Sequence, residues 1–210
     1  MNLPCPLCQT ESTFFEEVKT RMYYKCPKCF GIFLSKENYM NSEDEKKHYE
    51  YHNNDVEDKG YQNFVSPITN SILNDFNDSH KGLDFGAGTG SAVSKVLKDN
   101  NYSIKQYDPF FHNHKELLKK KYDYIASCEV VEHFHHPDEE FKLLKSLLEE
   151  NGKLYIMTHL YSPEIDFASW YYIKDHTHVF IYQKETMQWI AKQYEFSLVE
   201  IENRLIIFTN

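Results

Sequence analysis

The sequence has no run of 18 apolar residues, so no stretch of it reads as a membrane-spanning helix and no membrane partner is expected. Its start, Met1-Asn2-Leu3-Pro4-Cys5, lacks the basic and apolar regions of a secretory signal, which gives a cytoplasmic reading. Positive charge is short: 23 Lys and Arg face 32 Asp and Glu, a formal net charge of −9. A chain of that sign is poorly placed to grip a phosphate backbone, so the balance favours a small-molecule or protein substrate over nucleic acid. Core material is plentiful. Hydrophobic residues make up 41% and aromatics 16% of 210 residues, enough for one large domain or a medium one with an attachment.

Cysteine is sparse but patterned. Four of the five form two C-x-x-C knuckles, Cys5-Pro-Leu-Cys8 and Cys26-Pro-Lys-Cys29, separated by 17 residues. Each knuckle puts two thiolates on one side of a tight turn, and the segment between them can run out and back as a hairpin through Thr13–Phe15 and Met22–Tyr24. The pattern reads as a closed tetrahedral zinc site with a structural role. Two disulfides are the alternative, and they need an oxidising compartment to which nothing else points.

The centre of the chain is Leu83-Asp84-Phe85-Gly86-Ala87-Gly88-Thr89-Gly90, followed by apolar residues at helical spacing, Ala92, Val93, Val96 and Leu97. This predicts a strand, a glycine turn and a helix, the unit that holds a nucleotide-like ligand above a parallel sheet. A dinucleotide fingerprint needs a glycine where Ser91 stands. Asp108 lies 22 residues beyond Gly86, at the end of a weak second strand Ser103–Tyr107, where a carboxylate is placed to accept ribose hydroxyls. Downstream come a strand Tyr122–Cys128 with a small buried Cys128, the run Glu129-Val-Val-Glu132-His133, a helix opened by Pro137 and stopped by Asn151-Gly152, a strand Lys153–Thr158, a helix from Lys184, and two strands facing each other across Asn203.

Asp-x-Gly-x-Gly-x-Gly resembles the first motif of the class I, Rossmann-like methyltransferases that use S-adenosylmethionine (SAM). The Tyr122-Asp123 strand with Glu129-Val-x-Glu132-His133 resembles their small-molecule members, including those acting on quinols and sugars, and Asp175-x-Thr177-His178-Val resembles a recurring element of small methyltransferases. The resemblance covers roughly residues 60–210. It implies an α/β fold with a mostly parallel seven-stranded sheet and an antiparallel last strand. The short segment Phe110–Lys121 has room for only a helix or a strand, or for truncated forms of both, which reduces the sheet by one strand if the strand is lost. It also implies that Asp84, Gly86, Ala87, Gly88, Gly90, Asp108 and Glu129 meet the cofactor. No (Asp/Asn)-Pro-Pro-(Tyr/Phe) or Pro-Cys element stands at the relevant strand end, which argues against adenine amino methylation and cytosine C5 chemistry.

The expected organisation is a zinc ribbon over 1–34, a connector over 35–60 and a methyltransferase domain over 61–210. The connector contains a helix capped by Ser42 and is either a surface tether or a lid that brings Tyr61 and His52 over the cofactor. Residues 159–183 form the expected substrate wall. Among 11 histidines, the groups His133, His135, His136 and His176, His178 lack a third partner at established ligand spacing, so an acid–base role is preferred for His133 and His178. The expected activity is SAM-dependent methyl transfer to a small molecule. The rivals are an rRNA or tRNA methyltransferase whose ribbon contacts RNA, and an idle SAM-binding partner module. The acceptor atom, the adenine contacts and the oligomeric state are not legible.

Overall fold

A computed structural model describes residues 2–51 and 55–210. His52 therefore lies outside the described residues. Two sheets organise the chain. The N-terminal sheet holds β1 (Leu3–Pro4), β2 (Glu11–Val18), β3 (Arg21–Lys25) and β4 (Ile32–Leu34), all antiparallel. Its fifth strand comes from far along the chain: β9 (Phe180–Ile181) pairs antiparallel with β4, Ile32 against Ile181 and Phe33 against Phe180.

The connector forms α1 (Ser42–Glu50) and α2 (Lys59–Phe64), and α3 (Ser66–Asp75) follows. The α1 cap is Asn41, not Ser42: the Asn41 side chain accepts the Glu43 and Asp44 N–H groups at 3.1 and 3.0 Å. Both residue types can cap, and the amide oxygen one position earlier reaches the orphan donors.

The second sheet has six strands. These are β5 (Lys81–Phe85), β6 (Ser103–Tyr107), β7 (Tyr122–Cys128), β8 (Leu148–Met157), β10 (Leu198–Glu202) and β11 (Leu205–Thr209), in the order β10-β11-β8-β7-β5-β6. Strands β8, β7, β5 and β6 are parallel, and β11 runs antiparallel to both its neighbours, β8 and β10. Helices α4 (Ala92–Asp99), α5 (Pro137–Leu147) and α6 (Lys184–Gln193) complete it.

Two expectations change. The seventh strand is absent among the described residues. Between β6 and β7 the chain makes an isolated bridge, Asp108 to His112, and a short 3-10 turn over Lys115–Lys119. That is the truncation the short segment allowed. Helix α5 also ends at Leu147 rather than at Asn151-Gly152. Strand β8 starts at once, and Asn151, with φ of 61°, sits in it where the register with β7 shifts between Tyr122 and Tyr124. The Asn-Gly pair makes a bulge, not a helix stop.

The two sheets share packing. Cys5, Cys26, Cys29 and Phe33 lie in one apolar cluster with Phe141 of α5, Tyr182 just past β9 and Phe208 of β11. A second cluster packs Tyr23, Ile32 and Leu34 of the small sheet against Phe167, Tyr172 and Val179 of the loop that follows β8. The small sheet thus carries the loop that borders the site.

Candidate active site

Strand order reverses at β5, which has β6 on one side and β7 on the other. A crevice opens at the carboxyl ends of the strands at such a switch point. The chain fills it with a cavity of about 880 Å³.

One wall is the turn after β5. Gly86 and Gly88 have φ of +85° and +58°. A Cβ on Gly86 would stand 2.5 Å from both methyls of Val130, so backbone conformation and space both require glycine there. Ser91, at the place of the missing third glycine, is the N-cap of α4 and accepts the Ser94 N–H at 3.1 Å. Asp108 meets the turn from the tip of β6. It accepts the Gly88 N–H at 2.9 Å and those of Phe110 and Phe111 at 2.8 and 3.0 Å. Oδ1 takes both the Phe110 and Phe111 N–H groups, so it is Oδ2, with only the Gly88 N–H, that keeps a lone pair for a further donor.

Gly86, Ala87, Gly88, Asp108, Glu129 and Tyr61 all line the cavity, as do His133 and His178. Asp84 and Gly90 do not border it. Asp84 is buried behind the turn, where it accepts the Ser94 hydroxyl at 2.6 Å, and burial pushes its carboxyl up. It braces the turn against α4 rather than facing the cavity. Alternation explains this: on β5, neighbours of opposite parity point to opposite faces.

Glu129, just past β7, has φ of +52°. Its Oε1 is buried without a hydrogen-bond partner, and Arg204 Nη2 stands 3.6 Å away. Burial, with Glu132 adding to it and Arg204 opposing it, pushes the Glu129 carboxyl up to about 8. An orphan acceptor at the cavity wall fits the ammonium of an amino-acid ligand. Burial also pushes the Tyr61 phenol up to about 12.

The opposite wall joins distant segments. The Val179 N–H donates to the Glu132 carbonyl at 2.9 Å, which holds the late loop against the turn after β7. His133 Nδ1 lies 3.1 Å from the Thr177 carbonyl, and His178 Nδ1 lies 2.7 Å from the Tyr172 carbonyl. A carbonyl only accepts, so both imidazoles donate from Nδ1. The rings lie 4.8 Å apart, and burial pushes His178 down toward its neutral form. His176 does not border the cavity.

Sequence reasoning missed several lining residues. Glu45 and Tyr49 come from α1, joined by a 2.9 Å hydrogen bond. Phe110 and Phe111 stand beside Asp108. Asp175, which lies in the expected substrate wall and does line the cavity, accepts from the Thr177 N–H and hydroxyl. Burial alone would raise its carboxyl, but these bonds hold it below the usual range. The Glu45 and Tyr49 pair one helical turn apart on α1 and the aromatic pair after Asp108-Pro109 were the available signals.

Away from the cavity, the four paired cysteines converge, with all sulfurs within 4.8 Å of one another. The Cys5–Cys29 and Cys8–Cys26 sulfurs are 3.5 and 3.4 Å apart. Tetrahedral zinc with bonds of about 2.3 Å needs sulfurs roughly 3.8 Å apart, so the four thiols fit that ion. The knuckles repeat one geometry: Gln9 and Phe30 follow them with φ of 59° and 62°, and their N–H groups return to the Cys5 and Cys26 carbonyls.

Comparison with known proteins follows the same line. A comparison with curated protein sequences gives no match. Among solved structures, a SAM-dependent methyltransferase from Archaeoglobus fulgidus is similar at a TM-score of 0.57 and 16% identity, covering 71% of this chain and 94% of that one. Human N-acetylserotonin methyltransferase, solved with SAM, is similar at 0.52 and 9% identity, over 71% of this chain and 53% of that one. Phosphoethanolamine N-methyltransferase 2 from Haemonchus contortus, also solved with SAM, is similar at 0.52 and 15% identity, over 82% and 48%. The chain spans about half the length of the latter two. At these identities the likeness carries the fold. Residues 58–201 match the family described as "Methyltransferase domain", more than half of the chain, and the chain belongs to that family.

Proposed function

We propose that the protein transfers a methyl group from SAM to a small-molecule acceptor. The observation that carries this reading is the single cavity in which the Gly86–Gly88 turn, Asp108 and the His133/His178 pair meet. The turn and Asp108 suit the adenosyl group, with Asp108 on the ribose hydroxyls. Phe110 and Phe111 offer an apolar wall for the base. Glu129 and Tyr61 suit the amino-acid end, and Glu129 takes its ammonium.

SAM supplies an electrophilic methyl on a sulfonium. The acceptor attacks in line, the carbon–sulfur bond breaks, and its electron pair returns to sulfur. The protein's part is to align acceptor and methyl and to handle the acceptor's proton. Both imidazoles offer an Nε2 lone pair for that proton. Aromatic walls suit a cationic sulfonium through their ring faces.

A zinc ion in the cysteine cluster has a structural role in this reading, and the division into ribbon, connector and catalytic domain is part of the proposal. RNA is the weaker acceptor class, because no Lys or Arg is among the described residues that line the cavity. Calorimetry with SAM and with S-adenosylhomocysteine (SAH), its demethylated product, tests the reading. Micromolar binding of both is expected, and binding of neither leaves only a partner module. Labelled methyl transfer into cell extract, split into RNA and small-molecule fractions, separates the acceptor classes.

A further inference from the structure

Sequence spacing leaves His133 and His178 without a third ligand, and folding supplies it. Glu132, wholly buried, joins them so that one ligand atom from each lies within 4.8 Å of the others. We infer that Glu132, His133 and His178 form a divalent-cation site on the acceptor wall of the cavity, separate from the cysteine cluster. Its chemistry rests on the methyltransferase reading; the binding itself does not.

Orientation is the first argument. The Thr177 and Tyr172 carbonyls hold the two imidazoles by Nδ1, which leaves both Nε2 atoms as free lone pairs. A ligating imidazole is held in this way, by a backbone acceptor on its far nitrogen. Glu132 is oriented too. Its Oε1 accepts the Tyr172 hydroxyl, and its Oε2 accepts the Thr158 hydroxyl at 3.1 Å. Each oxygen keeps a second lone pair. His178 Nε2 stands 4.0 Å from Glu132 Oε1. Bonds of about 2.1 Å to one ion need neighbouring ligand atoms roughly 3.0–3.5 Å apart. Small side-chain rotations close that gap.

Charge is the second argument. The Glu132 carboxylate has only hydroxyls as hydrogen-bond partners, whereas Arg204 stands by Glu129. Glu132 stands just behind the cavity wall that His133 and His178 border, and the described lining carries Glu45, Glu129, Glu140, Asp108 and Asp175 and no Lys or Arg. Carboxylates so enclosed call for a cation. Two nitrogens and one carboxylate suit Mn²⁺, Fe²⁺ or Zn²⁺ with positions left open, whereas the four thiolates favour a soft ion.

The open positions face the acceptor, and an oxygen nucleophile is the class that fits. A bound hydroxyl loses its proton more readily on a Lewis acid, as metal-bound water does. With both Nε2 lone pairs on the ion, the proton leaves to water instead of to an imidazole, the oxygen–carbon bond forms, the carbon–sulfur bond breaks, and no electron is transferred to or from the ion.

The test is Mn²⁺ titration of the full chain followed by electron paramagnetic resonance, with zinc retained on the cysteines. One Mn²⁺ per chain is expected. His133→Ala and His178→Ala should each weaken it at least tenfold, and His80→Ala, outside the cavity, should not. SAH binding serves as the fold check, and His178→Asn, which keeps a donor for the Tyr172 carbonyl, replaces an alanine variant that fails it. No Mn²⁺ uptake by the parent chain, or equal uptake by folded variants at both histidines, overturns the site. Mn²⁺ uptake without SAH binding would instead sink the methyltransferase reading and leave the site standing.

Discussion

Arg21 Nη1 donates to the carbonyl oxygen of Asp175 at 3.3 Å, and Nη2 donates to the carbonyl of Ile173. A side chain of the N-terminal sheet therefore holds the loop that delivers His178. Arg21→Ala strands two carbonyls in a buried place and should cost about 1–3 kcal/mol. Denaturant unfolding measures that loss. Limited proteolysis should then cut first within residues 159–179, while SAH affinity stays within about twofold of the parent, since a buried donor lost on one wall leaves the other wall intact. Equal proteolysis of both proteins would separate the small sheet from the loop.

Gly86 is the second point of attack. Gly86→Ala meets Val130 at 2.5 Å and holds alanine at φ of +85°. The left-handed conformation alone costs about 1–2 kcal/mol. SAH affinity should fall at least tenfold by calorimetry. Adding Val130→Ala removes the methyls but not the backbone strain, so it should restore only part. Full restoration would mean that the turn's conformation is irrelevant to binding.

Much of this site was legible because it follows local rules. The Asp84–Gly90 turn, the Asp108 tip and the closing strand pair around Asn203 are each encoded within a few residues. The two knuckles were legible for the same reason. Long-range encounters were not. Strand β9 is two residues, Phe180 and Ile181, with no pattern to assign them to a sheet begun at Leu3. Glu132 was visible only as part of a motif, because its imidazole partner His178 arrives 46 positions later through loop packing. Asp84 was placed in the cavity because the motif includes it, while strand parity turns it to the opposite face.

Asp108→Asn tests the carboxylate at the β6 tip. An amide keeps the size but turns one acceptor into a donor, which then faces a backbone N–H of Gly88 or of Phe110 and Phe111. That mismatch costs about 1–3 kcal/mol, or roughly 2–4 °C for each kcal/mol in a chain of this size. If Asp108 also holds the ribose, SAH affinity should drop at least tenfold more than the loss of stability explains. A thermal shift with unchanged SAH affinity would reduce Asp108 to a turn-holding role.

Glu129 predicts a pH dependence of stability. Its carboxyl is pushed up to about 8, chiefly by burial, against an ordinary value of 4.5. Between these values the folded chain holds a proton that the unfolded chain has released. Its contribution is therefore full below about 4.5, falls as pH rises, and is gone above about 8. Glu129→Gln stays neutral throughout. Relative to the parent, it should gain about 3 kcal/mol between pH 6 and pH 9, roughly 6–12 °C in melting temperature. A constant difference across that range would mean that Glu129 is ionised at pH 6.

Metal removal tests the cysteine cluster, and the fold says where the damage should spread. Cys5, Cys26 and Cys29 are buried in the same cluster as Phe141, Tyr182 and Phe208, and β4 passes the small sheet on to β9. Losing the ion would therefore loosen Phe180 and Ile181, and with them the loop bearing His178. One zinc per chain is expected by elemental analysis, and Cys128→Ser should keep it, because Cys128 lies outside the cluster. Cys8→Ser leaves three thiols and should lower zinc affinity at least tenfold. Hydrogen exchange after chelation should accelerate in residues 3–34 and 159–181, and less in β5 and β6, which do not touch the small sheet's strands in the ladder order. A chelated chain with unchanged exchange at 159–181 would confine the ion's role to the N-terminal sheet. A chain that never carried zinc yet melts like the loaded one would remove that role altogether.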